Sequence, residues 1–347
     1  MYQHQLNASY TQPLLQNFKG KLDRLDYELS DFDIQIAEIQ SAENKEKFYL
    51  QLGNGFLDWV LLEEQRKIAS ERLDLAKKQL ELVEEKRAVN LVDKVDLLRS
   101  EDAVRLAEQN LIFIQSQLKA KKAELAVLVQ SNELTEKTPD FDIYTPVDLP
   151  AAEKAFQQTR KEIRMFKIID ENQQRLQKLS KSFSEIRRPQ LDLTLGTGFQ
   201  VGDEEIEDSF QMSEPDFSVT LAFSHPLGAR SSEASIEKTA LQIRQLDFQK
   251  SKIALDLEAA ITNIMIQIKE MENILALNKQ QIESAKERTD EEERLYNQGR
   301  SQLTFVIQSR DNLQNAKLTY ATNATNYHRM ILQYRELTDQ LAEKERN

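Results

Sequence analysis

Two stretches of this 347-residue chain carry one pattern twice. After Asn90, apolar side chains fall seven apart at Leu97, Val104, Leu111, Leu118 and Leu125. After Gly299 they fall at Val306, Leu313, Tyr320, Tyr327 and Tyr334, in the same phase. That spacing lines one stripe of a helix, and such a stripe calls for partner helices. A longer helical pattern precedes each stretch. The first, from about residue 16 to 88, includes Leu22, Leu25, Leu29, Phe32, Ile36 and Ile39, then Leu61, Ile68, Leu75 and Leu82. The other, from about residue 230, includes Ile253, Leu257, Ile261, Ile264 and Ile268. Gly freely, and Asn with tolerance, adopt the left-handed backbone that ends a helix. The chain therefore reads as two tandem helical hairpins reversing at Asn90 and Gly299. At 1.5 Å per residue, an arm of about 70 residues would run roughly 100 Å.

Composition agrees with long helices: only 8 Gly and 7 Pro, with 30% of residues charged. A formal charge of −12 argues against a nucleic-acid partner. The absence of cysteine removes disulfides, thiolate metal sites and cysteine nucleophiles. His4, His225 and His328 are scattered and form no ligand-spaced set, so no metal site is expected. There is no phosphate-binding G-x-x-x-x-G-K-[ST] loop, and the acidic pairs lack the pocket context of acid–base catalysis. Neither an enzyme nor a cofactor protein is expected. Trp59 and the tyrosine stripe read as packing residues. The opening "MYQHQLNASYTQ" lacks the basic and apolar regions of a signal peptide. "FLDWVLL" and "AAITNIMIQI" are too short to span a bilayer as helices. A membrane would have to be entered by strands.

"RPQLDLTLGTGFQ", from Arg188, breaks the helical texture. Leu191, Leu193, Leu195 and Phe199 alternate with Asp192, Thr194, Gly196, Gly198 and Gln200. Beyond the acidic loop "VGDEEIEDSFQMSE", Phe217, Val219, Leu221 and Phe223 alternate with Ser218, Thr220, Ala222 and Ser224. The two runs predict a hairpin with one apolar and one small polar face. Period-two runs of about ten residues mark transmembrane strands, with lipid outside and water inside. Open sheet edges are not tolerated in hydrocarbon, so several chains would have to pool such strands. A further strand, about His4 to Thr11, precedes Pro13, as the second run precedes Pro226.

Strand, proline, long helical hairpin, linker, shorter helices, β-hairpin, second long hairpin: this order resembles the TolC-like outer-membrane factors of Gram-negative bacteria over essentially the whole chain. The elements that carry the resemblance are "YTQPL" and "FSHPL" at strand ends, "RPQLDLTLGTG", and "RLYNQGRSQLTFVIQSRDNLQNAKLTY" at the second turn. The expected fold is mainly α with a small β part. It divides into a first repeat (1–130), a linker with two short helices (131–187), a transmembrane β-hairpin (188–225) and a second hairpin (226–347). The resemblance implies a homotrimer whose strands share an outer-membrane barrel and whose helices form a periplasmic α-barrel. Its partners would be outer-membrane lipid, a periplasmic adaptor protein and an inner-membrane transporter. The family has two strands and an export signal before the first helix where this sequence has one strand, so the chain reads as beginning late.

In that family the hairpin turns constrict the periplasmic end. By position, the gate candidates are Asp96, with Asp93 nearby, and Tyr296, a tyrosine hydroxyl reaching a carboxylate being one form of latch. The family's basic partner falls on Ser301, with Arg300 adjacent, and its acidic positions on Phe305 and Gln308. A constriction built by Phe305 packing is therefore the alternative to an acidic ring. The turns, with Asn90, Leu91, Gly299 and Ser301 at their apices, are the expected adaptor contacts. Asp290–Glu293 reads as a solvated acidic face. The other readings are a soluble coiled-coil scaffold, which has no use for a lipid-facing strand pair, and an adaptor protein, which would show one hairpin rather than two.

Overall fold

The computed structural model describes residues 2–149, 163–203, 214–225 and 227–341. Strand β1 (Tyr2–Pro13) leads to helices α1 (Leu25–Ala88) and α2 (Lys94–Leu128). Then come α3 (Arg164–Ile186), strands β2 (Gln190–Asp203) and β3 (Asp216–Ser224), and helices α4 (Arg230–Asn297) and α5 (Leu303–Leu337). The chain forms two compact units interleaved in sequence rather than following the repeats. One is Met1–Ser41 with Arg164–Leu255, the other Ala42–Ile163 with Asp256–Asn347.

In the first unit, β1, β2 and β3 form an antiparallel sheet in that order. α3 is stitched to its neighbours by charge. Arg175 lies 3.0 Å from Asp33, Lys178 pairs with Glu28, Lys250 with Asp170, and Arg187 lies 2.9 Å from Glu233. The first helix begins later than its periodicity predicts, and Leu22 lies outside it. Asn17, Lys19 and Gly20 all have left-handed backbone, and the Asn17 carboxamide accepts from the Leu22 N–H at 2.7 Å. A side chain that satisfies the backbone this way competes with helix and delays its start. The first of the two predicted short helices, Pro226 and most of the acidic loop lie outside the described residues.

The second unit is built by the long helices packing pairwise. Ile261, Ile264 and Ile268 of α4 meet Tyr327, Ile331 and Tyr334 of α5. Trp59 of α1 packs with Leu118 and Leu125 of α2. Two glycines interrupt α1 because the helices touch there. A Cβ at Gly53 would sit 2.9 Å from Leu332 Cδ1, and one at Gly55 2.9 Å from Leu125 Cδ2. Residues after α2 wrap onto α5: Tyr144 stacks on Tyr320, and the Tyr327 hydroxyl accepts from the Val147 N–H at 2.9 Å.

The repeat is kept in the backbone. α2 and α5 are each 35 residues long. Each lies between two left-handed residues, Asn90 and Gln130 in one copy, Gly299 and Asp339 in the other. All four close the same pair of hydrogen bonds. Leu91 N–H donates to the carbonyl of Lys86, Ser131 to Ala126, Arg300 to Leu295 and Gln340 to Arg335, each enclosing a bond from the left-handed residue's own N–H to the carbonyl three residues back. This capping motif satisfies carbonyls a helix end would otherwise leave unpaired.

Candidate functional sites: the hairpin turns and the sheet

Both turns share one small core. Val83 and Tyr296, from the last turns of α1 and α4, pack with Leu303 and Val306 at the start of α5. Helix-periodic side chains reach each other here because both reversals fall at matching places in the repeat. Tyr296 is 8% exposed, and the Lys86 ammonium lies 3.9 Å from its ring centroid. Burial lowers the Lys86 pKa; burial, and then the Asp96 charge, raise that of Tyr296. An ammonium on a ring face is held by the ring quadrupole.

Tyr296 and Asp96 do not form the latch that the sequence suggests. The Tyr296 hydroxyl is buried with no hydrogen-bond partner among the described residues. Asp96 lies 3.5 Å from Arg99 instead, and Arg99 donates to Thr304 Oγ1 of α5 at 3.2 Å. The polar connection between the hairpins thus runs from Asp96 through Arg99 to Thr304. Neither Arg99, Thr304 nor Lys86 stands out in the sequence, because each is an ordinary polar residue on a helix surface.

The other turn candidates are placed as follows. Asp93 is exposed at the N-terminus of α2, makes no side-chain cap bond, and accepts through its carbonyl from Asp96 N–H at 3.2 Å. Arg300 is exposed, 3.5 Å from Gln298 Oε1. Ser301 donates to Glu292 at 2.7 Å. Leu91 and Phe305 are 72% and 50% exposed. Of the acidic run beside the turn, Glu291, Glu292 and Glu293 are engaged within the chain. Glu291 pairs with Arg294, which holds its carboxyl below the usual range, and Glu293 pairs with Arg310 at 2.6 Å.

In the sheet, register decides the faces, since paired residues point to the same side. Tyr10, Leu195 and Val219 lie in one row, Leu193 pairs with Leu221, and Leu191 with Phe223. Leu6 pairs with Phe199, and Thr197 with Phe217. All the predicted apolar positions therefore share one face, and Leu6 and Tyr10 of β1 extend it. That face is bare: Phe217 is 80%, Val219 73% and Phe223 66% exposed. On the opposite face, Thr11 and Thr194 hydroxyls meet at 3.0 Å. Space is short there. A Cβ at Gly196 would lie 2.6 Å from Ser218 Oγ, and one at Gly198 2.9 Å from Asn7 Oδ1. Among the described residues no helix is long and apolar enough to cross a membrane.

No protein-family model matches the sequence, and no curated protein does. Solved structures do match. The outer membrane protein VceC of Vibrio cholerae aligns over 97% of this chain and 87% of its own, at 14% identity and a TM-score of 0.75. CusC, from structures describing transmembrane channel formation, aligns over 99% and 84%, at 13% identity and 0.76. The Campylobacter jejuni outer membrane channel CmeC aligns over 100% and 79%, at 13% and 0.73. Two helical hairpins and a sheet in this order, matched from end to end, give the chain the fold of the TolC-like outer-membrane channels.

Proposed function

We propose that the chain is one protomer of a passive exit duct in the outer membrane of a Gram-negative cell. Its strands contribute to a shared barrel, and its helical hairpins build a tunnel in the periplasm. The carrying observation is the sheet: one face apolar and exposed, the other small and polar, with β1 and β3 as its edges among the described residues. In water such a face and such edges promote aggregation, while in lipid the face is satisfied and the edges demand neighbours. The helices also have unpartnered apolar stripes. Leu241, Phe248 and Leu255 of α4 lie seven apart and are 56%, 77% and 68% exposed. Val95, Leu106 and Phe113 of α2 fall on one helical face and are 54%, 63% and 60% exposed. Such stripes are what neighbouring copies cover, and three copies is our reading. A soluble scaffold offers no use for the sheet face.

The duct would work with an inner-membrane transporter, joined by a periplasmic adaptor that docks on the turns, where Leu91 and Phe305 are exposed. The gate would lie at the same turns, held by the Asp96–Arg99–Thr304 connection. Planar-bilayer recording on the purified trimer tests this reading. Wild type should give discrete single-channel steps, and Arg99→Ala should raise conductance or open time by releasing α2 from α5. Steps unchanged in both Arg99→Ala and Asp96→Ala would remove the gate and keep the pore. Silence from folded, trimeric protein would remove the pore.

A further inference from the structure

The three strands end together at the side of the sheet that leads into the helices. Pro13 pairs with Asp192 and Gln190 with Ser224, and the Leu14 N–H donates to the Leu191 carbonyl at 2.7 Å. Leu14 therefore falls in the row of Leu191 and Phe223 and carries the apolar face one row beyond β1. The segment after it is held to the end of α3, where the Gln16 side chain donates to the Ile186 carbonyl at 2.8 Å. The ion pair of Arg187 with Glu233 brings the start of α4 to the same place.

Positive charge gathers at this end. Residues 14–24, 186–190 and 224–230 hold six basic side chains and one acidic, Asp23, in a chain of net charge −12. The connection from β2 to β3 leaves from the opposite end, and residues 203–214 hold six acidic side chains and no basic one. Three of the six basic groups are engaged. Lys21 lies 3.7 Å and Arg188 3.3 Å from Glu185, and Arg187 lies 2.9 Å from Glu233. Lys19, Arg24 and Arg230 are exposed and make no side-chain hydrogen bond or ion pair among the described residues. Apolar surface lies among them. Phe18 is 40% and Leu227 93% exposed, and the Lys19 ammonium lies 5.6 Å from the Phe18 ring centroid.

Where hydrocarbon gives way to headgroups, apolar side chains anchor while lysine and arginine extend their charge to the surface. Each basic group there adds attraction to a leaflet of net negative charge, which a zwitterionic leaflet does not supply. We propose that this end of the sheet docks on anionic phospholipid. Lys19, Arg24 and Arg230 take headgroup phosphates, and Leu14, Phe18 and Leu227 enter the acyl boundary. The proposal rests on the reading that the sheet sits in lipid, and it adds which lipid is selected and in which leaflet, the one on the helix side.

The experiment places a tryptophan reporter at two depths of the full-length protein, Val219→Trp in the centre of the apolar face and Phe18→Trp at its basic end. Each is reconstituted in phosphatidylcholine with a rising share of dibrominated phosphatidylglycerol or dibrominated phosphatidylcholine as quencher. Trp59, buried in the other unit, supplies a constant background. The two lipids should quench Val219→Trp equally. Phe18→Trp should favour phosphatidylglycerol by at least about fivefold in relative binding constant, the worth of one basic residue at an anionic surface. Lys19→Gln, Arg24→Gln and Arg230→Gln together should bring that ratio to about one. Lys279→Gln, Lys286→Gln and Arg288→Gln together, at exposed positions of α4 in the other unit, should leave it unchanged. Equal quenching of Phe18→Trp by the two lipids, with Val219→Trp quenched, overturns this proposal alone. Loss of the preference in both triple variants also overturns it, since net charge would then suffice. A Val219→Trp that neither lipid quenches overturns the lipid-facing sheet, and this proposal with it.

Discussion

His328 shows how one buried side chain can set a condition on the fold. Its Nε2 lies 3.0 Å from the Ile143 carbonyl, and its ring lies edge-on to Phe141 at 5.0 Å and to Tyr327 at 5.2 Å. Burial pushes its pKa below the usual value, against the opposing pull of the Ile143 carbonyl and Asp142. A neutral imidazole therefore donates to that carbonyl. Because the folded value is depressed, the stabilisation is present above the unfolded value, about 6.5, and is lost as pH falls through the folded one. The thermal midpoint of wild type should drop more steeply between pH 7 and pH 5 than that of His328→Phe. At pH 7 the variant should already be less stable by about 1 kcal/mol, for the lost bond to Ile143. Parallel pH profiles would show that another group controls acid stability. Tyr296 carries the opposite lesson. Its position beside a turn suggested a latch, and its neighbours made it a core residue under a lysine.

At the scale of elements, the reversals are set by single backbone positions. Gly299 has φ of 73° and Asn90 58°. A Cβ at Gly299 would meet nothing within 4 Å, so a substitution there is opposed by backbone conformation alone. Gly299→Ala should lower stability by about 1 kcal/mol, the cost of left-handed backbone for alanine. Asn90→Gly should be neutral or slightly stabilising for the same reason. Thermal melts of the two variants check this, and a neutral Gly299→Ala would mean that the turn tolerates another conformation. The start of α1 follows the same logic in reverse. The periodicity through Leu22 was genuine, yet three left-handed residues around a bonded Asn17 kept that segment out of the helix.

For the whole molecule, the sheet face and the exposed helix stripes ask for the same thing, other surfaces to cover them. If the sheet sits in lipid, the two faces should respond differently to one change. Val219→Lys, in the centre of the apolar face, should disfavour insertion by about 2–4 kcal/mol. Thr220→Lys, on the polar face, should leave it nearly unchanged. Flotation of the reconstituted protein with vesicles measures both. Equal flotation of the two variants would argue that this face does not meet lipid.

Period and punctuation were enough to place the two helical hairpins, their turns at Asn90 and Gly299 and the apolar face of the sheet. Each follows from local geometry: seven-residue spacing makes a stripe, alternation makes a face, and a left-handed residue ends a helix. The partners of polar side chains were out of reach. That Arg99 meets Thr304 and that Lys86 covers Tyr296 depends on which helices lie side by side. So does the close approach of Leu332 and Leu125 to positions 53 and 55. Those neighbours are far apart in sequence and leave no periodic trace, so only the tertiary structure decides them.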